Sequence, residues 1–88
     1  MNTQFKEGFT KDLRRVRDKD LLNRAKAVIE TVEQAQSLGQ IPNLEQLKGW
    51  SKYYRIRVGD YRVGLAVEGN VMTFVRFLHR KDIYRYFP

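Results

Sequence analysis

Cysteine is absent from this 88-residue chain, histidine occurs once and proline twice. Without cysteine there is neither a disulfide framework nor a thiolate nucleophile. A single histidine also leaves a protein-built zinc site short of ligands. No apolar run approaches the roughly 20 residues of a membrane span, and the opening Met1-Asn2-Thr3-Gln4-Phe5-Lys6 lacks the apolar core of a secretion signal. The expected location is therefore the cytoplasm, with no membrane partner. Missing too are a serine, histidine and carboxylate pattern, a phosphate-binding glycine loop, and a carboxylate cluster fit for magnesium. Neither a metal nor a cofactor is expected.

Positive charge is what the chain has in excess. Lysine and arginine number 17 against 10 acidic residues, a formal charge of +7, with a sequence pI near 10.0. The excess is uneven: residues 51–88 hold eight basic and three acidic side chains, so they carry +5, and residues 1–50 carry only +2. A field concentrated in this way favours a polyanion such as nucleic acid, or an acidic protein. A merely soluble basic domain is the plainer alternative.

The length suits one domain, 1–88. Residues 1–39 read as a helical hairpin, 40–50 as a connector, 51–78 as an antiparallel sheet and 79–88 as a tail. Phe5 and Phe9 flank a polar, glycine-containing opening that is either an edge strand or a frayed lead-in. Thr10 is placed as the N-cap of a short helix over Lys11–Arg17. A longer helix follows, capped by Asp18 or Asp20, in which Leu21, Leu22, Ala25, Val28, Ile29, Val32 and Ala35 form one apolar stripe. Leu38 and Gly39 are expected to end it, with glycine at the left-handed C′ position. The fold class is α+β: two N-terminal helices on a three-stranded antiparallel meander, or one with a weak fourth N-terminal strand, and a short C-terminal helical turn.

Within the meander, Tyr53-Tyr54-Arg55-Ile56-Arg57-Val58 meets Tyr61-Arg62-Val63 at Gly59-Asp60, a pair suited to a tight hairpin turn. Alternation sends Tyr54, Ile56 and Val58 to one face, with Tyr61, Val63, Leu65 and Val67 on the return strand. Arg55, Arg57 and Arg62 then share the other. Glu68-Gly69-Asn70 supplies the second turn, and Val71–Leu78 forms the last strand.

Three guanidinium groups on one sheet face suit phosphate, which they grip in a bidentate way. RNA can be cut without metal, because its own 2′-hydroxyl attacks the adjacent phosphate once a base takes the proton. The protein must then neutralise the transition state and protonate the departing 5′ oxygen. Arginine suits the second task and not the first, so the base is sought among His79, Lys81 and a tyrosine set among cations. Arg76 reads as a secondary phosphate contact. Each assignment has a plainer counterpart: arginines on a solvated or merely binding face, a structural His79, and Tyr84, Tyr86 and Phe87 as anchors of the tail.

The run Leu47-Lys48-Gly49, Tyr54-Arg55-Ile56-Arg57, Gly59-Asp60-Tyr61-Arg62-Val63 and Phe77-Leu78-His79-Arg80-Lys81-Asp82-Ile83-Tyr84, behind a helical pair, resembles the RelE/ParE superfamily of type II toxins, and within it the RelE branch. The resemblance is tight over Leu44–Phe87 and loose over the helices. It implies a toxin that enters the ribosomal A site and cuts mRNA by the 2′-OH route, without metal, until a cognate antitoxin wraps it. DNA operator binding is implied only through the antitoxin complex. By position, Arg55 and Arg57 match a pair of basic residues, and Arg62 matches a phosphate-stabilising arginine. Arg80 or Lys81 matches the basic residue after the last strand, while His79 and Tyr84 fall where members place acid, base or stacking groups. Lys52, Arg76, Arg85 and Tyr86 are taken as further RNA or phosphate contacts. RelE members often carry lysine where Arg55 and Arg57 stand, which leaves the base open among His79, Tyr84 and Lys81. Two other functions stay in play: a ParE-like, non-nucleolytic inhibitor of DNA gyrase, and a plain nucleic-acid-binding module.

Overall fold

Glycine decides both hairpin turns. In the computed structural model, which describes residues 1–88, Gly59 and Gly69 each have φ +60°, while Asp60 and Asn70 after them do not enter the left-handed region. Positive φ at the first turn residue alone is the type II′ geometry, which matches the twist of the strands it joins. The strands so joined are β3 (Tyr53–Val58), β4 (Tyr61–Glu68) and β5 (Val71–His79). They form the expected meander, with Ile56 opposite Val63 and Arg57 opposite Arg62.

The sheet is larger than three or four strands, and it is mixed. β1 (Asn2–Phe5) lies parallel to β5, and β2 (Leu44–Gln46) lies antiparallel to β3, giving the order β1-β5-β4-β3-β2. Both additions are edge strands of three or four residues with mostly polar sequence. Their backbone pairing holds them more than any apolar alternation does, so the sequence pattern hides them.

Helix boundaries shift for local reasons. α1 runs from Glu7 to Arg15, earlier than a Thr10 cap would allow. Lys6 N–H still pairs with Phe74 at the end of β1, and Phe9 must turn at once into the core, where it is fully buried. The Thr10 hydroxyl instead donates to Glu7 C=O inside the helix. α2 (Lys19–Gln34) is capped by Asp18, whose Oδ1 accepts from Asp20 N–H and Leu21 N–H at 3.0 and 3.2 Å. It stops at Ala35, whose carbonyl receives the Met1 ammonium at 2.7 Å. A 3₁₀ turn, Leu38–Gln40, follows, and Gly39 does not adopt the left-handed conformation expected of a C′ residue.

The helices cover one face of the sheet. Phe9, Leu21, Ala25 and Val32 meet Ile56, Val58, Val63, Leu65, Met72, Phe74 and Phe77 in the main core. A second, smaller core lies on the opposite face: Leu47, Ile83 and Phe87, backed by Tyr53, Val75 and Leu78. It docks α3 (Ile83–Tyr86), the C-terminal helical turn. Gly64 makes this possible, since a Cβ there would stand 2.8 Å from the Phe87 ring. No helix is long and apolar enough to cross a membrane.

One irregularity sets the phase of β5. Leu65 faces Phe74 but Gly64 faces Arg76, so Val75 is an extra residue. The bulge returns Phe77 to the core face already used by Met72 and Phe74. Phe77 N–H there donates to Asp12 Oδ2 at 2.9 Å, and Arg76 Nε and Nη2 donate to the same carboxylate at 2.7 and 3.1 Å. Asp12 is 5% exposed. Removing it would leave a buried N–H and a guanidinium unpaired, so Asp12→Ala is expected to cost about 2–4 kcal/mol. Urea unfolding monitored by circular dichroism measures it.

Candidate functional site

Strand pairing concentrates the arginines. Arg57 and Arg62 are directly opposite on β3 and β4, and Arg55 sits opposite Gly64, one step along the same face. Directly opposite residues have Cβ atoms about 5 Å apart, and diagonal ones such as Arg55 and Arg62 about 7–8 Å. Like charges at that spacing repel, and only a fixed scaffold or an anion keeps them together.

Arg62 is the centre of the group. Its Nη1 donates to Gly59 C=O at 2.9 Å and to Tyr61 C=O at 2.8 Å, which ties one edge of the guanidinium to the turn. Its Nε is buried and has no hydrogen-bond partner. The guanidinium pKa lies below the ordinary arginine value, first through burial and then through the charges of Arg55 and Arg57, with Arg80 adding to them and Tyr84 opposing. Three cations and one phenol thus converge on the half-buried Arg62 guanidinium. A site of this kind attracts phosphate, above all one gaining negative charge.

The tail supplies Arg80 and Tyr84 to this face. Arg80 N–H donates to Asp60 C=O at 2.7 Å, so the chain leaves β5 over the hairpin turn. Its Nε lies 3.9 Å from the Asp60 carboxylate. α3 then carries Tyr84 back, with the Arg55 guanidinium 5.8 Å from its ring centre.

Glu45, which a connector reading passes over, joins them. It lies on β2 opposite Arg55, and its Oε2 is 2.8 Å from Arg55 Nη2. Only the β2–β3 register reveals it, because nothing in the sequence marks Leu44–Gln46 as a strand. Glu45, Arg55 and Tyr84, with Leu47, Trp50 and Phe87, line an open groove of about 480 Å³.

The other expected residues are placed elsewhere. His79 pairs with Tyr61 on the helix-covered side of the sheet; the two rings meet edge to face at 5.5 Å, and His79 Nδ1 accepts from Lys81 N–H at 3.1 Å. Arg76 is committed to Asp12, and that hydrogen bond is the chief reason its pKa is raised. Tyr86 lies over the Arg76 guanidinium at 5.8 Å, away from Arg62. Lys52 pairs with Glu68 at 3.7 Å. Lys81 and Arg85 are exposed, with no acidic side chain within ion-pair distance. No three histidine, aspartate or glutamate side chains are grouped so as to hold a metal ion.

Comparison with known proteins bears on this arrangement. Residues 4–84 match the family described as the ParE toxin of the type II toxin-antitoxin system, parDE. Toxin RelE3 of Methanocaldococcus jannaschii is 43% identical over 89 residues, an alignment that spans all of both chains. In the crystal structure of the RelB-RelE antitoxin-toxin complex from Methanococcus jannaschii, one chain superposes with a TM-score of 0.80 at 42% identity, covering 97% of this chain and 99% of that one. A chain of the archaeal RelE-RelB complex from Pyrococcus horikoshii OT3 gives a TM-score of 0.73 at 21% identity, with 93% and 97% covered. At that identity the likeness speaks for the fold alone.

Because Arg57 is exposed and its charge works against Arg62, Arg57→Gln is expected to leave stability unchanged or to raise it by up to about 0.5 kcal/mol. Thermal unfolding at low ionic strength reads the difference, which added salt should erase.

Proposed function

The chain belongs to the ParE/RelE family of type II toxins, and from that premise we propose that it is a ribosome-dependent endonuclease that cuts mRNA in the A site without metal. The observation that carries this reading is the convergence of Arg55, Arg57, Arg80 and Tyr84 on the half-buried Arg62 guanidinium, beside a groove that holds Glu45. Roles follow from chemistry. Glu45, oriented by Arg55, takes the proton of the 2′-hydroxyl. The 2′ oxygen then bonds to phosphorus, Arg62 and its neighbours hold the added negative charge, and the P–O5′ bond breaks as Tyr84 protonates the leaving oxygen. The products are a 2′,3′-cyclic phosphate and a 5′-hydroxyl. His79 faces the other side of the sheet and takes no part in this scheme.

The proposed partners are the ribosome, mRNA and a cognate antitoxin. The relative of known structure with 42% identity is found in a RelB-RelE complex, and a chain with a charge of +7 suits an acidic partner segment. Operator DNA is reached only through that complex. The setting is the cytoplasm, where translation takes place. The alternative is a gyrase inhibitor, which the ParE description of the matching family favours.

Induced expression with mapping of mRNA 5′ ends separates the two. Arg62→Ala is expected to lower cleavage about 10²–10³-fold. Glu45→Gln and Tyr84→Phe should lower it about 10²–10⁴-fold. Growth arrest lost in these variants, with cuts inside codons for the unaltered chain, supports the nuclease. Intact mRNA together with an SOS response would establish the gyrase reading instead.

A further inference from the structure

Trp50 is the only tryptophan of the chain, and it is 52% exposed. Its exposed half presents a flat apolar face that a ligand ring can cover. Its loop is not loose. Trp50 N–H donates to Leu47 C=O at 3.1 Å, and Gln46 Nε2 donates to the carbonyls of Trp50 and Ser51, both at 3.0 Å. The indole stands edge-on to Tyr53 with ring centres 5.2 Å apart, and Tyr53 in turn meets the buried Phe87 at 5.6 Å. The half-exposed ring therefore rests on a fixed aromatic column.

The ring also borders the groove of Glu45, Arg55 and Tyr84. The phosphate-binding face and the groove share Arg55 and Tyr84, so a strand held by its phosphate at Arg62 continues into the groove. The open volume of about 480 Å³ exceeds a single nucleobase. We propose that this groove is a nucleobase subsite, in which the base of the nucleotide on the 5′ side of the cut stacks on Trp50 while its ribose faces Glu45. The inference rests on the nuclease reading above and adds the recognition of the nucleotide that supplies the attacking oxygen. Purines, with the larger stacking surface, bind best there. An aromatic platform beside arginines is how unpaired bases are held by proteins that act on single strands.

Trp50 fluorescence reports on the groove directly. The probes are trinucleotides fully 2′-O-methylated, which blocks cleavage, with adenine or an abasic residue at the first position. The adenine probe should quench Trp50 saturably and bind about tenfold more tightly than the abasic one. In Trp50→Ala, followed by anisotropy of a labelled probe, that difference should vanish; in Trp50→Phe, which keeps a ring, part of it should return. Thermal melts of both variants check that the fold persists. Equal quenching and equal affinity for the two probes would overturn the proposal, as would the absence of quenching by either. Base-dependent quenching in a protein that cuts no mRNA would uphold the subsite and remove the nuclease. Cutting with base-independent binding would do the reverse.

Discussion

The carboxylate of Asp12 sits where β5 takes in an extra residue, and there it accepts from Phe77 N–H and from two nitrogens of Arg76. β1 pairs with β5 only as far as Phe74, so the edge of β5 that faces α1 has no strand partner at Phe77, and a buried N–H without an acceptor costs about 1–3 kcal/mol. Asp12 answers that need from α1, so the helix and the irregular strand position one another. The rest follows from phase. With Val75 added, Phe77 enters the core, Leu78 turns to the arginine face, and the chain leaves β5 over the hairpin turn. That exit lets α3 fold onto the arginine face and bring Tyr84 to Arg55. The phase of β5, beside which this helix carboxylate is bound, thus bears on which groups lie on that face.

The same bulge marks the limit of what could be read from residues alone. Strict alternation worked for β3 and β4, where the turn residues Gly59 and Asp60 fix the register, and it placed Arg55, Arg57 and Arg62 together correctly. On β5 it failed, because the apolar steps Met72, Phe74 and Phe77 are two and then three residues apart. The face of Arg76 was therefore ambiguous in sequence, and His79 lost its expected place beside the arginines. The edge strands were hidden for a different reason: β1 and β2 are held by backbone pairing, which leaves little side-chain signature. Glu45 went unseen with β2. The long helix was legible, with its cap narrowed to Asp18 or Asp20, because an apolar stripe and a side-chain cap are both local facts; its end, expected at Leu38 and Gly39, comes earlier, at Gln34.

Arg62 sits where a guanidinium is poorly accommodated. Two carbonyls fix one edge of its guanidinium, its Nε has no partner, and three arginines press upon it. Burial and like charge work against the arrangement, while the two turn carbonyls favour it. The β3–β4 pairing and the turn carbonyls hold it in place, so the cations are assembled in advance and an anion bound there would need no reorganisation.

Phe87 lies on the bare backbone of Gly64, with no room for even a methyl group between them. The two positions are therefore a single steric unit written in distant parts of the chain. A lineage that enlarges residue 64 must shrink residue 87 or give up the docking of α3. Across relatives, these two sites should change together, and a mismatched pair would mark a copy whose tail has come away from the sheet.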